Sequence, residues 1–98
     1  MKEIETNCPT AMFELGCVVI TSGAKATLTI GEMICAVARH AQGDWGVLTE
    51  DDWQENEDAL AREGRIFSVY AAVDGGARYY VITEADRSST TVLLPEEY

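Results

Sequence analysis

Two polar constellations in the chain combine residue types that can do chemistry. The first is Arg39-His40, followed by Asp44 and Trp45 in a link bounded by Gly43 and Gly46. A histidine near an aspartate has the makings of a base and its orienting group. Spacing fixes no nucleophile beside them, however. A lone histidine at a helix C-terminus more often serves the helix dipole or packs. A tryptophan between glycines more often plugs a corner than carries a ligand, so a structural role is the favoured reading for both. The second constellation is the run Glu84, Ala85, Asp86, Arg87, Ser88, Ser89. Its hydroxyls can bond free backbone groups of a connection. They can equally fix a ligand while Arg87 meets an anion or an acidic side chain.

Carboxylates form a third set. Glu50, Asp51, Asp52, Glu55 and Asp58 fall within nine residues that hold no base. Their spacing is not that of a calcium loop, and no glycine makes its sharp turn. With one histidine and scattered cysteines a zinc site is weaker still. Neither a Walker loop, a Gly-x-Ser-x-Gly elbow nor a dinucleotide fingerprint occurs. The expectation is no catalytic residue, no metal and no cofactor. The five acids read first as a solvated face, and second as a surface for a basic partner.

The elements that must position these groups read as α+β. Residues 65–73 and 77–83 are β-branched and aromatic, and Asp74-Gly75-Gly76 between them is a tight-turn signal. Residues 90–94 give a third strand, stopped by Pro95. The three make an antiparallel C-terminal meander, joined by an N-terminal strand at 15–21 whose pairing partner cannot be deduced. Thr29 with Glu32 forms a capping box, predicting a helix over 30–42 that ends at Gly43. Ile30, Met33, Ile34, Val37, Ala38 and Ala41 should be its single buried face. His40 falls at the edge of that stripe, where its replacement by Gln should cost little. Thr49, followed by acids, opens a second helix over 50–63, stopping at Gly64. Two helices packed on the sheet make one domain over residues 1–98, with 1–12 loose.

Composition sets the remaining bounds. A hydrophobic fraction of 47% argues against disorder. Seventeen acids against seven bases give a net charge of −10, which argues against nucleic-acid binding and points to basic protein surfaces. Nothing reaches the length of a membrane span. Cys8, Cys17 and Cys35 form no Cys-x-x-Cys pair, and no charged-then-apolar leader opens the chain. Reduced, largely buried thiols in a cytoplasmic protein are expected, with self-association left open.

Residues 38–46, 49–57 and 82–98 carry a resemblance: Ala-Arg-His-Ala-Gln-Gly-Asp-Trp-Gly, Thr-Glu-Asp-Asp-Trp-Gln-Glu-Asn-Glu, and Ile-Thr-Glu-Ala-Asp-Arg-Ser-Ser-Thr-Thr-Val-Leu-Leu-Pro-Glu-Glu-Tyr. The chain resembles a family of short bacterial proteins carried on plasmids, prophages and other mobile elements, labelled plasmid-related protein or type I restriction endonuclease subunit M. The Gly-rich turn and Asn/Asp-Pro-Pro-aromatic motif of a modification subunit are both missing. What the resemblance implies is therefore a mobile-element context and no catalytic residues. Two functions are expected from different classes. One is a non-enzymatic interaction domain, a mobile-element accessory or an inhibitor of a basic host protein. The other is a small enzyme or ligand binder, which requires Arg39, His40, Asp44 and Trp45 to converge with Glu84, Asp86, Arg87 and Ser88 on one pocket.

Overall fold

The computed structural model describes residues 11–73 and 76–98. The expected loose segment lies outside them up to Thr10, as do Cys8 and the Asp74-Gly75 turn. The chain is α+β, and its described residues form a four-stranded sheet with three helices. β1 (Cys17–Ile20), α1 (Ser22–Thr27), α2 (Ile30–Ala41) and α3 (Glu50–Arg62) precede β2 (Ile66–Ala71), β3 (Arg78–Thr83) and β4 (Ser89–Leu93). A short 3₁₀ turn, Pro95–Glu97, follows. The sheet order is β1-β4-β3-β2. The last three strands are the antiparallel meander, and β1 adds to β4 in parallel.

Period-two alternation decides what each strand gives to each face. The face under α2 carries Val18 and Ile20 of β1, Thr90 and Val92 of β4, Tyr79, Val81 and Thr83 of β3, and Ile66, Ser68 and Tyr70 of β2. Met33 and Ala36 of α2 pack there with Tyr70, Tyr79, Val81 and Val92, together with Ala24 and Leu28 from around α1. Burial of each large apolar side chain is worth ~1.5–3 kcal/mol. A second cluster of Trp45, Ala59 and Ile66 seats α3 beside β2.

Both helix starts form as their sequences dictate. Thr29 Oγ1 accepts from the Glu32 amide at 3.1 Å, and Glu32 returns a carboxylate oxygen to the Thr29 amide at 2.8 Å. The other Glu32 oxygen accepts from the Val73 amide at 2.9 Å, tying the helix start to the segment just past β2. Thr49 caps α3 through the Asp52 amide at 3.2 Å.

Four expectations change. Helix α1 is a third helix beyond the two expected: the Thr21 side chain accepts from the Ala24 amide at 3.2 Å, and Glu97 accepts from Thr21 Oγ1 at 2.5 Å and from the Gly23 amide at 3.0 Å. The stabilising carboxylate comes from the far end of the sequence, so local reading misses the helix. Helix α3 ends one residue earlier than expected, at Arg62, with Glu63 left-handed as its cap (φ 60°). Cys17 and Cys35 are exposed rather than buried. Lastly, α2 is rotated from its expected setting: Ile30 and Ile34 are 63% and 64% exposed, while Ala36 and His40 are buried.

Candidate functional site

His40 is fully buried, not at an edge, because α2 turns it down onto β2 and β3. Nδ1 lies 2.6 Å from Ser68 Oγ, and Nε2 lies 2.8 Å from Thr83 Oγ1. Thr83 Oγ1 is in turn 2.7 Å from Thr90 Oγ1, which donates to the Leu15 carbonyl at 2.7 Å. That last bond sets every proton in the chain, since each hydroxyl has one to give. Thr90 spends its proton on Leu15, so it accepts from Thr83. Thr83 therefore accepts from His40, which carries its hydrogen on Nε2, and Nδ1 accepts from Ser68. The imidazole is neutral with both nitrogens occupied. Burial, reinforced by the positive charge of Arg87, pushes its pKa down from 6.5 to about 3. The rings of Phe13 and Trp45 close over it edge-on, at 5.3 and 5.8 Å between centroids. A base so enclosed is a structural hub of the sheet.

The neighbours of His40 are equally engaged. Trp45 is fully buried and donates Nε1–H to Glu57 at 2.9 Å. Arg39 and Asp44 pair on the outside, Nε to Oδ2 at 2.8 Å and Nη2 to Oδ1 at 3.4 Å. The guanidinium lies 4.7 Å over the Tyr70 ring. Its hydrogen bond holds the Asp44 carboxyl below the usual aspartate range, helped by the Gly46 amide.

In the 84–89 connection Arg87 turns inward. Its Nη1 donates to the carbonyls of Gly64, Glu84 and Ala85 at 2.6, 3.1 and 3.2 Å, with its own backbone left-handed (φ 62°). Asp86 accepts from the Ser88 amide at 3.0 Å, and its pKa is lowered by the Ser88 hydroxyl and amide. Glu84 lies 3.8 Å from Arg65. A shallow cleft lined by Ala85, Asp86 and Arg87 is completed by Met12, Phe13 and Leu60 among others, and by neither His40 nor Asp44. The two constellations are thus linked through the buried His40–Thr83 contact and through Phe13, whose ring lies against His40 and under Arg87, and they line no common open site among the described residues. Among the described residues no three His, Cys, Asp or Glu side chains converge as metal ligands, and no helix is long and apolar enough to cross a membrane.

The acidic set lies elsewhere. Glu50, Asp51, Asp52, Glu55 and Asp58 of α3 are all exposed. Asp58 accepts from Gln54 at 3.1 Å, and none of the five forms an ion pair among the described residues. On the opposite side of the helix Asn56 accepts from the Phe67 amide at 3.0 Å and donates to its carbonyl at 2.6 Å. The helix is thereby fixed to the edge of β2 with its carboxylates outward.

An open apolar groove of about 720 Å³ runs between β1 and α2. Val18 and Ile20 make its floor, Ile30, Ile34, Val37 and Ala38 its wall, and Glu14 is its one charged lining residue. Sequence reasoning missed this groove by burying the whole apolar stripe of α2. It also missed Asn56, Ser68, Thr83 and Thr90. A signal for the hydroxyls existed: each occupies an inward alternation position of an apolar strand, where a polar residue requires a partner.

No family model, curated protein or solved structure matches the chain.

Proposed function

We propose that the chain is a non-enzymatic protein-interaction domain whose α3 face engages a basic surface of another protein, in the manner of a cytoplasmic accessory or inhibitor encoded by a mobile element. The observation that carries this reading is the exposed carboxylate set of α3, free of ion pairs among the described residues, on a helix that Asn56 ties to β2. Asp51, Glu55 and Asp58, at i, i+4 and i+7, share the outer side. A net charge of −10 supplies the long-range field that steers a cationic partner. The enzyme and small-ligand reading is the weaker one, because its base is neutral and enclosed and its arginines are spent on Asp44 and on backbone carbonyls.

Reversal of two charges remote from the Thr49 cap tests the proposal. Glu55→Lys with Asp58→Lys should leave the fold within ~0.5 kcal/mol of wild type. Association with a partner captured from host lysate should slow markedly at low salt. The difference should shrink as the screening length falls from ~8 Å at physiological salt to ~3 Å at 1 M. Equal association rates for both proteins at low salt would make α3 a merely solvated face.

A further inference from the structure

The two edges of the sheet end differently. On β2 the outward backbone groups of Phe67 and Val69 are closed. Asn56 holds both groups of Phe67, while Val69 donates to the Trp45 carbonyl at 3.1 Å and accepts from the Val47 amide at 2.8 Å. On β1 the amides of Cys17 and Thr21 point inward to the carbonyls of Ser88 and Val92, at 3.0 and 3.1 Å. Backbone direction alternates along a strand, so Val18 and Ile20 turn their N–H and C=O groups outward. No hydrogen bond from the described residues meets them. Exposed edges are ordinarily protected by charge, proline or a bulge. Cys-Val-Val-Ile offers none of these, and Val18, Val19 and Ile20 are 45%, 42% and 39% exposed.

We propose that this edge pairs with a second copy of the same chain, β1 against β1 and antiparallel, about a two-fold axis at Val19, to give one continuous eight-stranded sheet. The register follows from the backbone. Direct hydrogen bonds require residues whose groups point outward, and the pleat requires paired residues to share a face. Val18 and Ile20 meet both conditions, so Val18 of one copy lies opposite Ile20 of the other and four backbone hydrogen bonds form. Val19 then faces Val19 in the non-hydrogen-bonded position. Centring on Val18 would instead need Gly16, which has left the strand at φ +65°. Centring on Ile20 would place Val18 opposite Ser22, already in α1.

Three features favour a second copy over other occupants. An edge strand of this kind is complementary to itself, as an isologous two-fold contact demands. The groove beside it is lined by no charged residue but Glu14, and this is where two molecules of net charge −10 can approach closely. Residues ahead of Ala11 carry Lys2, Glu3 and Glu5 against Met1 and Ile4 as large apolar side chains, a poor composition for filling an apolar groove. Pairing joins the two grooves into one cleft walled by Ile30 and Ile34 of both copies. A four-residue strand spans only ~13 Å, so the contact falls at the small end of specific interfaces, below ~1,200 Å² in total. Dimerisation should accordingly depend on concentration. It should also strengthen with salt as the mutual repulsion is screened, opposite to the salt dependence of a basic partner on α3, so the two proposals fail separately.

Sedimentation velocity from micromolar to millimolar protein, at low and high salt, tests it. The wild type should pass from monomer to dimer across that range. Val18→Pro removes an outward N–H that no described group uses. Val19→Lys places two ammonium groups at the axis. Both variants should stay monomeric with unchanged circular dichroism. In a Cys8→Ser, Cys17→Ser, Cys35→Ser background, Val19→Cys should yield a covalent dimer on mild oxidation, because non-hydrogen-bonded partners sit ~4.5 Å apart, within disulfide range. Ile30→Cys in the same background should not. A wild type that stays monomeric at millimolar concentration in high salt would overturn the proposal. So would a dimer that survives Val19→Lys, or cross-linking faster through Ile30→Cys than through Val19→Cys.

Discussion

Replacing His40 with Gln removes the titrating centre of the buried hydroxyl chain while keeping a polar side chain in its place. Gln can supply a donor or an acceptor near one of the two ring-nitrogen positions but cannot span both. One buried hydroxyl, on Ser68 or on Thr83, then loses its bond to the ring, at a cost of ~1–3 kcal/mol, although Thr83 would still hold Thr90. The edge-on ring contacts with Phe13 and Trp45 are worth ~0.5–1.5 kcal/mol more. The loss at pH 7 is therefore ~2–4 kcal/mol, out of a total near ~5–15 kcal/mol for a domain, in place of the small cost expected for a residue at a stripe edge. Acidification should erase the difference. Below the ordinary value of 6.5 the unfolded wild type takes up a proton that the folded one refuses until about 3, so stability contributed by the neutral histidine is lost as pH falls through that window. At pH 4.5 the wild type has given up ~2.7 kcal/mol on this account, at ~1.4 kcal/mol per pH unit, and the Gln variant nothing. Asp44, whose folded pKa lies low, loses its own contribution in acid, but equally in both proteins, so the comparison cancels it. Urea denaturation followed by tryptophan fluorescence at pH 7 and pH 4.5 measures both gaps. A gap unchanged between the two pH values would refute the neutral, enclosed imidazole. A gap under ~1 kcal/mol at pH 7 would refute the hydrogen-bond chain itself.

Asn56→Ala should cost ~2–3 kcal/mol, since the amide and carbonyl of Phe67 both lose their partner. It should also raise light scattering on standing, because a second sheet edge is opened; urea midpoints and scattering read the two effects. Gly46→Ala should cost more than ~4 kcal/mol or prevent folding, as its backbone is left-handed (φ +85°) and a Cβ would collide with the Val69 carbonyl. Gly31→Ala, where an added methyl meets open space in α2, should instead stabilise by ~0.5–1 kcal/mol, as thermal melts of the two variants would show.

What was legible in the sequence is what local physics determines. Thr29 with Glu32 and Thr49 before its acids announce helix starts because each cap closes within three residues. The meander was legible because its strands follow one another through short connections. The parallel seat of β1 beside β4 depends on contacts more than 70 residues apart in sequence, such as Thr90 to Leu15, and no pattern within β1 encodes them. Helix α1 depends likewise on Glu97. The candidate site was legible only as a grouping of Arg39, His40, Asp44 and Trp45: the partner expected for Asp44 was His40, whereas Asp44 pairs with Arg39, five residues away. That His40 serves Ser68 and Thr83 follows only once β2 and β3 are in register.

The setting of α2 shows how a correct pattern can predict the wrong burial. Its apolar stripe, from Met33 round to Ala38, covers roughly 140° at ~100° per residue. The sheet takes only one margin of it: Met33, Ala36 and His40 face the core, centred roughly 100° round the helix from Ile30 and Ile34. The small Ala36 allows close seating over the aromatic floor of Tyr70 and Tyr79, and the hydroxyls beneath His40 fix the rotation by demanding a hydrogen-bonding ring above them. Polar satisfaction is thus on the same scale as the area forgone with the two isoleucines, ~1–3 kcal/mol for each hydroxyl bond against ~1.5–3 kcal/mol for burying each isoleucine. The isoleucines are left exposed beside an unpaired strand edge, and the mismatch between apolar stripe and buried face marks the side of the molecule where a second chain has most to cover.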